Sequence, residues 1–316
     1  MHIHSLLRAA LAACVLATAA AAPATAAPVT AKLRVEAGGK SLDRGYRYAT
    51  DTATFNTSTT AACGGSGDSK TIEGPSALGA LVSGSDYNAR LRPVEVSDQF
   101  EFGLFVCGIG GRQSGESFWG LRVNHAEAQV GGDQYALEPN DEVLWTFITF
   151  DGANSGSELV LELPERNVRA GEPVEVRVLA YDAEGGSAPA AGVAITGGAT
   201  TDAAGVARLV FDAPGRPVVR GTRGNDIPTE PERLCVWEAS ESECAAIPHE
   251  RTVGTGVTDN LAGIAAPELI LGRAGDDTVR SRGGGTDTVR CGRGRDTVKA
   301  DRRDRVARDC ERVLRK

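Results

Sequence analysis

Apolar and polar residues alternate in short runs along most of this chain, and turn residues separate the runs. Leu33-Arg34-Val35-Glu36-Ala37 alternates and stops at Gly38-Gly39, which predicts a strand running into a turn. Residues 75–82 form a short helical pattern with Leu78, Leu81 and Val82 on one face. Strands are predicted over Phe100 to Cys107, Phe118 to Val123 and Glu142 to Phe150. In the last of these, Val143, Trp145 and Phe147 share a face. Five further alternating runs follow: 159–163, 173–179, 192–196, 206–211 and 217–220. The turn clusters Asp182 to Gly186 and Thr201 to Gly205 divide them, a spacing that predicts a β-sandwich.

The last third is periodic. Acidic residues recur at Asp259, Glu268, Asp277, Asp287, Asp296 and Asp304, and two residues after each stands an apolar one: Leu261, Ile270, Val279, Val289, Val298 and Val306. One inward apolar residue in each unit of about nine residues is the pattern of a parallel β-roll, in which each repeat supplies a turn and a very short strand.

At the other end, Met1 to Arg8 closes on a cation, Ala9 to Ala22 is uncharged and apolar, and Ala24-Thr25-Ala26 supplies small residues for cleavage. This predicts a signal peptide over residues 1–26. The apolar run is too short to anchor the chain in a membrane, and no later run reaches the ~18 residues of a spanning helix. The expected organisation is then a β-grasp-like domain over 27–152, a sandwich over 153–250 and a roll with a cap over 251–316. The fold class is mainly β. With 39 Gly and a single Met, the composition also favours short strands with turns over packed helices.

Charge is unevenly distributed. From Gly272 onward fourteen Lys/Arg stand against eight Asp/Glu, a balance of +6 in a chain of net charge −8, so the remainder is near −14. A basic tail on an acidic exported body suits attachment to an anionic wall polymer or lipid surface. The competing reading is a solvated face whose arginines neutralise neighbouring aspartates.

Removing Cys14 with the signal leaves Cys63, Cys107, Cys235, Cys244, Cys291 and Cys310. An even count in an exported chain predicts disulfides. Each expected domain holds two cysteines, which pairs Cys63 with Cys107, Cys235 with Cys244 and Cys291 with Cys310. Zinc is disfavoured, because no C-x-x-C pair exists.

Three resemblances follow from these residues. Phe118 to Asn124, Gly131 to Leu137 and Asn140 to Trp145 are similar to a bacterial module related to the C-terminal β-domain of transcobalamin and intrinsic factor. That resemblance implies a β-grasp-like fold. His125 and Asn140 replace glycines of the family pattern, at turn sites where Asn tolerates positive φ. In the vitamin carriers the domain closes over a corrinoid, so the resemblance makes Trp119, Tyr135 and Trp145 candidates for an aromatic ligand wall. The same three also suit core and cross-strand positions. Ala191 to Ile195 with Thr201 to Ala207 resembles bacterial Ig-like spacer modules. The units ending at Val279, Val289 and Val298 resemble hemolysin-type (RTX) calcium-binding repeats.

The last resemblance implies calcium held by Asp277, Asp287 and Asp296, with Asp277 paired to Asp296 two repeats on, because calcium takes six to eight oxygens. Arg273, Arg282 and Cys291 occupy glycine positions of that unit, and Arg295 sits in a binding turn. Two outcomes stay open: a weak calcium site, or a metal-free roll in which guanidinium groups neutralise the aspartates.

The sequence holds no nucleophile elbow, zinc helix motif or S-x-x-K pattern, so no catalytic residues are expected and the protein is read as a non-enzyme. The expectation is a noncatalytic, secreted or cell-surface binding protein, whose first domain meets a partner, whose sandwich is a spacer, and whose basic tail attaches. An envelope polymer or protein is the expected partner, not nucleic acid. The alternative is a binder of a corrinoid-like small ligand.

Overall fold

The computed structural model describes residues 28–149, 156–244, 248 and 250–316. The expected signal peptide and Phe150 lie outside them. The chain is mainly β, with a single α-helix among the described residues, and no described helix is long and apolar enough to cross a membrane.

In the first module the strand Val29–Ala37 pairs antiparallel with Lys40–Thr50 and parallel with Glu142–Thr149, so Val35 lies beside both Asp43 and Trp145. Ser117–Val123 continues the sheet on the far side of Glu142–Thr149. The helix Ala77–Tyr87 packs on this sheet. Ser76 starts it by accepting the Gly79 N–H at 3.0 Å, and Leu78 and Leu81 are fully buried. The helix is longer than the expected 75–82, since tertiary packing carries it through Gly84, against which Leu33 is pressed. The expected strand from Phe100 to Cys107 is instead split by a tight turn at Glu101 and Phe102, giving a hairpin of Val94–Phe100 and Gly103–Ile109. Gly103 adopts a φ of 121°, which a side chain would resist. Asn124, His125 and Asn140 all take positive φ, so the residues standing in for glycines do sit in turns.

The second module pairs Glu158–Glu162 and Val206–Val210 on either side of Pro173–Tyr181, and Ser187–Pro189 joins the same sheet. Its own core includes Leu159, Val176, Val178, Val219 and Leu234.

The C-terminal segment winds into a parallel coil with two facing sheets. Leu261, Val279 and Val298 stack in register on one sheet, and Ile270 and Val289 stack on the other, continued by Val306. The period of about nine residues is therefore half a turn of coil, which explains why successive apolar residues alternate between sheets. Leu261, Ile270, Val279, Val289 and Val298 are fully buried, each contributing about 1.5–3 kcal/mol of apolar burial.

The modules are not held apart. Glu250–Val253, the first strand of the coil, pairs in parallel with Lys40–Thr50, placing Arg47 beside Thr252 and Tyr48 beside Val253. One nine-stranded sheet therefore runs from Arg305–Val306 in the coil to Ala126–Glu127 in the first module. Val253 belongs to the first module's core and Ala49 to that of the coil. This corrects the spacer reading. The sandwich packs beside the junction instead, and ion pairs tie it to the first module: Lys32 to Glu230 at 2.6 Å, Arg34 to Glu158 at 3.4 Å and Arg220 to Glu36 at 2.7 Å.

Disulfides join Cys63 to Cys107, Cys235 to Cys244 and Cys291 to Cys310, the pairing expected from two cysteines per module.

Candidate functional site

Stacking the coil places its recurrent carboxylates in two internal files. In one, the main-chain N–H of Asp259 donates to Asp277 Oδ1 at 2.9 Å, that of Asp277 to Asp296 Oδ1 at 2.8 Å, and that of Asp296 to Glu311 Oε2 at 2.8 Å. In the other, Glu268 donates to Asp287 Oδ1 at 3.0 Å and Asp287 to Asp304 Oδ1 at 3.1 Å. The carbonyls of the same residues accept from the next coil as well, Asp277 from Thr297 N–H at 2.8 Å and Asp287 from Arg305 N–H at 2.7 Å. A short acidic side chain at this corner thus reaches back one coil and satisfies an amide that the short strands leave unpaired.

These carboxyls are sealed. Asp277, Asp287 and Asp296 are at most 1% exposed, and the second oxygen of each, like Glu268 Oε1, has no hydrogen-bond partner. Asp277 Oδ2 lies against its own turn, where a Cβ on Gly272 would stand 2.5 Å away. Burial, reinforced by neighbouring carboxylates of the same file, pushes the Asp277 and Asp287 carboxyls up to about 7. Burial also raises Asp296, Glu268 and Asp259.

Asp277 and Asp296 are accordingly neighbours, while Asp287 stands in the opposite file. Calcium calls for six to eight converging oxygens. Here one oxygen each of Asp277, Asp287 and Asp296 is already taken by an amide proton and the other is buried within the coil. Among the described residues no three acidic, His or Cys side chains gather around a common point. The donor set does not fit a calcium centre in this arrangement.

The coil segregates charge. Asp277, Asp287, Asp296 and Asp304 are buried, whereas Arg280, Arg290, Arg293, Arg295 and Arg305 are exposed. Arg280 and Lys299 lie side by side on adjacent strands. Of the eight acids that follow Gly272, only Asp276, Asp301, Asp309 and Glu311 remain toward the surface, against fourteen Lys/Arg. The outside of the coil is more basic than its composition.

The three candidate aromatic residues are placed differently. Trp119 and Trp145 are 4% and 3% exposed and belong to the first module's core, with Tyr135 packed at its margin. Trp119 lies 5.0 Å from the Phe147 ring and donates its Nε1–H to the Arg112 carbonyl at 3.1 Å. Trp145 is covered by Gly132, where a Cβ would come within 2.8 Å of the indole. A ligand wall needs open ring faces, and neither indole offers one, so these positions act as core. Glu311 was not legible as a member of the carboxylate file, because the spacing shortens from 19 residues to 15 at its step.

Residues 87–149 match a family described as a domain of unknown function (DUF4430), a span that covers the last part of the first module. Comparison with curated proteins finds no match.

Proposed function

We propose that this is a noncatalytic, exported binding protein that attaches to an anionic polymer of the cell envelope through the outer surface of its C-terminal coil. The observation that carries this reading is the segregation of charge: the coil turns its carboxylates inward against its own amides and its guanidinium groups outward. A solvated face neutralised in place would instead pair those arginines with the periodic aspartates. An outward cationic field of this kind draws polyanions and weakens with salt.

Three disulfides suit an oxidising, extracellular setting. The likeness of the first module to the transcobalamin C-terminal β-domain and of the coil to repeats of exported proteins supports the same placement. Nothing in the aromatic core favours the corrinoid-like alternative.

The test is retention of the full-length protein on polyglycerol phosphate-coated beads as salt is raised. Replacing Arg290, Arg293, Arg295 and Arg305 by Gln should lower the salt needed for release, and unchanged release would refute the reading. Substitution is preferred to removal of residues 252–316, which would uncover the strand Lys40–Thr50 and part of the first core.

A further inference from the structure

A cleft runs between the first module and the sandwich and ends at the coil. Its wider part, about 600 Å³, is lined by Lys40, Arg44, Arg90 and Arg220. Its inner part, about 220 Å³, is lined by Arg44, Arg216, Arg233 and Arg251. The two parts share Arg44, Val218 and Pro231 and so form one groove. All three modules contribute cations to it: Arg44 from the strand Lys40–Thr50, Arg216 and Arg233 from the sandwich, and Arg251 from the first strand of the coil.

Most of these charges are uncommitted. Lys40, Arg44, Arg90, Arg216 and Arg233 are exposed, and among the described residues none of their side chains has a hydrogen-bond or ion-pair partner. Three carboxylates also line the inner end: Glu230 binds Lys32 at 2.6 Å, Arg166 holds Glu232 at 2.8 Å, and Glu250, 4.0 Å from Arg166, is pushed toward its neutral form by burial and by Glu230. Five cations along one cleft without a partner among the described residues run against the composition of a body that is otherwise strongly acidic. Between them the floor is aliphatic, formed by Leu42, Val218 and Pro231.

We propose that this cleft binds an acidic oligosaccharide, a glycan segment bearing carboxylates or sulfates at intervals. Guanidinium groups take up such anions in paired hydrogen bonds, and the aliphatic floor accepts the C–H faces of sugar rings. Bare phosphate chains offer charge but no such faces. The site is separate from the coil surface and does not depend on it.

Calorimetry on the full-length protein at low salt tests this with four probes: a galacturonate tetrasaccharide, a sulfated heparin-type tetrasaccharide, tripolyphosphate and a hexaglutamate peptide. One tetrasaccharide should bind one per chain, at least about tenfold more tightly than tripolyphosphate or the peptide. Replacing Arg44, Arg216 and Arg233 by Gln should weaken it at least about tenfold, the loss of a few charged hydrogen bonds. Lys40→Gln with Arg90→Gln, at the other end of the groove, should weaken it as well. Near-ultraviolet circular dichroism checks that the variants remain folded. Arg290→Gln with Arg293→Gln should leave tetrasaccharide binding unchanged even where it releases the protein from beads. The proposal is overturned if neither tetrasaccharide binds, if tripolyphosphate or hexaglutamate binds as tightly, or if the coil substitutions and not the cleft ones abolish binding.

Discussion

The amide of Asp277 donates to the carboxylate of Asp296 one coil further on, at 2.8 Å, while the other oxygen of Asp296 has no partner. Burial raises Asp259, Glu268, Asp277, Asp287 and Asp296 within these files, so their folded state favours the neutral form. Asp277 and Asp287 bind protons up to about pH 7 when folded but only to about 4 when unfolded. The folded state therefore holds more protons between those values, and stability falls as pH rises through that window. Glu250 at the junction, pushed up to about 7 by burial and then by Glu230, acts in the same direction. Thermal unfolding followed by circular dichroism should give a higher Tm at pH 5 than at pH 8, and Asp277→Asn should flatten the dependence.

Calcium is expected to leave this melting temperature unchanged. The carboxylate oxygens that an ion would need are spent on amides or buried within the coil. A rise in Tm on adding millimolar calcium to the full-length protein would show that the files can open into oxygen cages.

Arg273 sits at φ 80°, in a left-handed conformation otherwise kept by glycines in the coil, such as Gly292 at φ 99°. The strain of a side chain there is about 1 kcal/mol, and its contact to the Gly254 carbonyl is long, at 3.5 Å. Arg273→Gly should therefore stabilise the protein slightly, by up to about 1 kcal/mol, measured as a shift in urea midpoint at constant slope.

Val253 is fully buried in the first module's core although it belongs to the coil's opening strand. Val253→Asp would force a carboxylate into that core at a cost of several kcal/mol. The single unfolding transition expected for the native chain should split into two, with the coil melting first, as read by differential scanning calorimetry.

The Cys291–Cys310 bridge spans 19 residues across the last coil. Replacing both cysteines by Ser should cost about 3 kcal/mol in the loop-entropy picture. Amide hydrogen exchange should then rise chiefly in residues 297–316 and leave the first module protected.

Much of this architecture was legible from residues. The recurrence of Asp277, Asp287 and Asp296 with Val279, Val289 and Val298 is dictated by local geometry, since every half-turn needs one inward apolar side chain and one corner acid. The cysteine pairing was legible from two cysteines per expected domain, and the turns at His125 and Asn140 from their place in the family pattern. What escaped was non-local. No property of Arg47 or Thr252 announces their pairing, because a parallel contact between distant strands leaves no periodic trace at either. The acids left a calcium site and a metal-free roll both open, because their spacing is the same whether they serve a cation or a neighbouring group. The neighbouring amide as a partner appears only in the stacked geometry. Trp119 and Trp145 likewise carry the same letter in a core and in a binding wall. The cleft cations, scattered at positions 44, 90, 216 and 233, converge only once the modules are packed.

The first strand of the coil is fused to the first module's sheet, and among the described residues the last strands of the stack are Arg305–Val306 and Arg312–Arg315. Whole units of 18 or 19 residues inserted between Asp277 and Asp296 would repeat existing contacts and disturb neither end. Each would carry the terminal plate outward by one strand spacing, about 4.8 Å. The coil is in this sense a ruler, whose length is set by the number of units and whose zero mark is Tyr48.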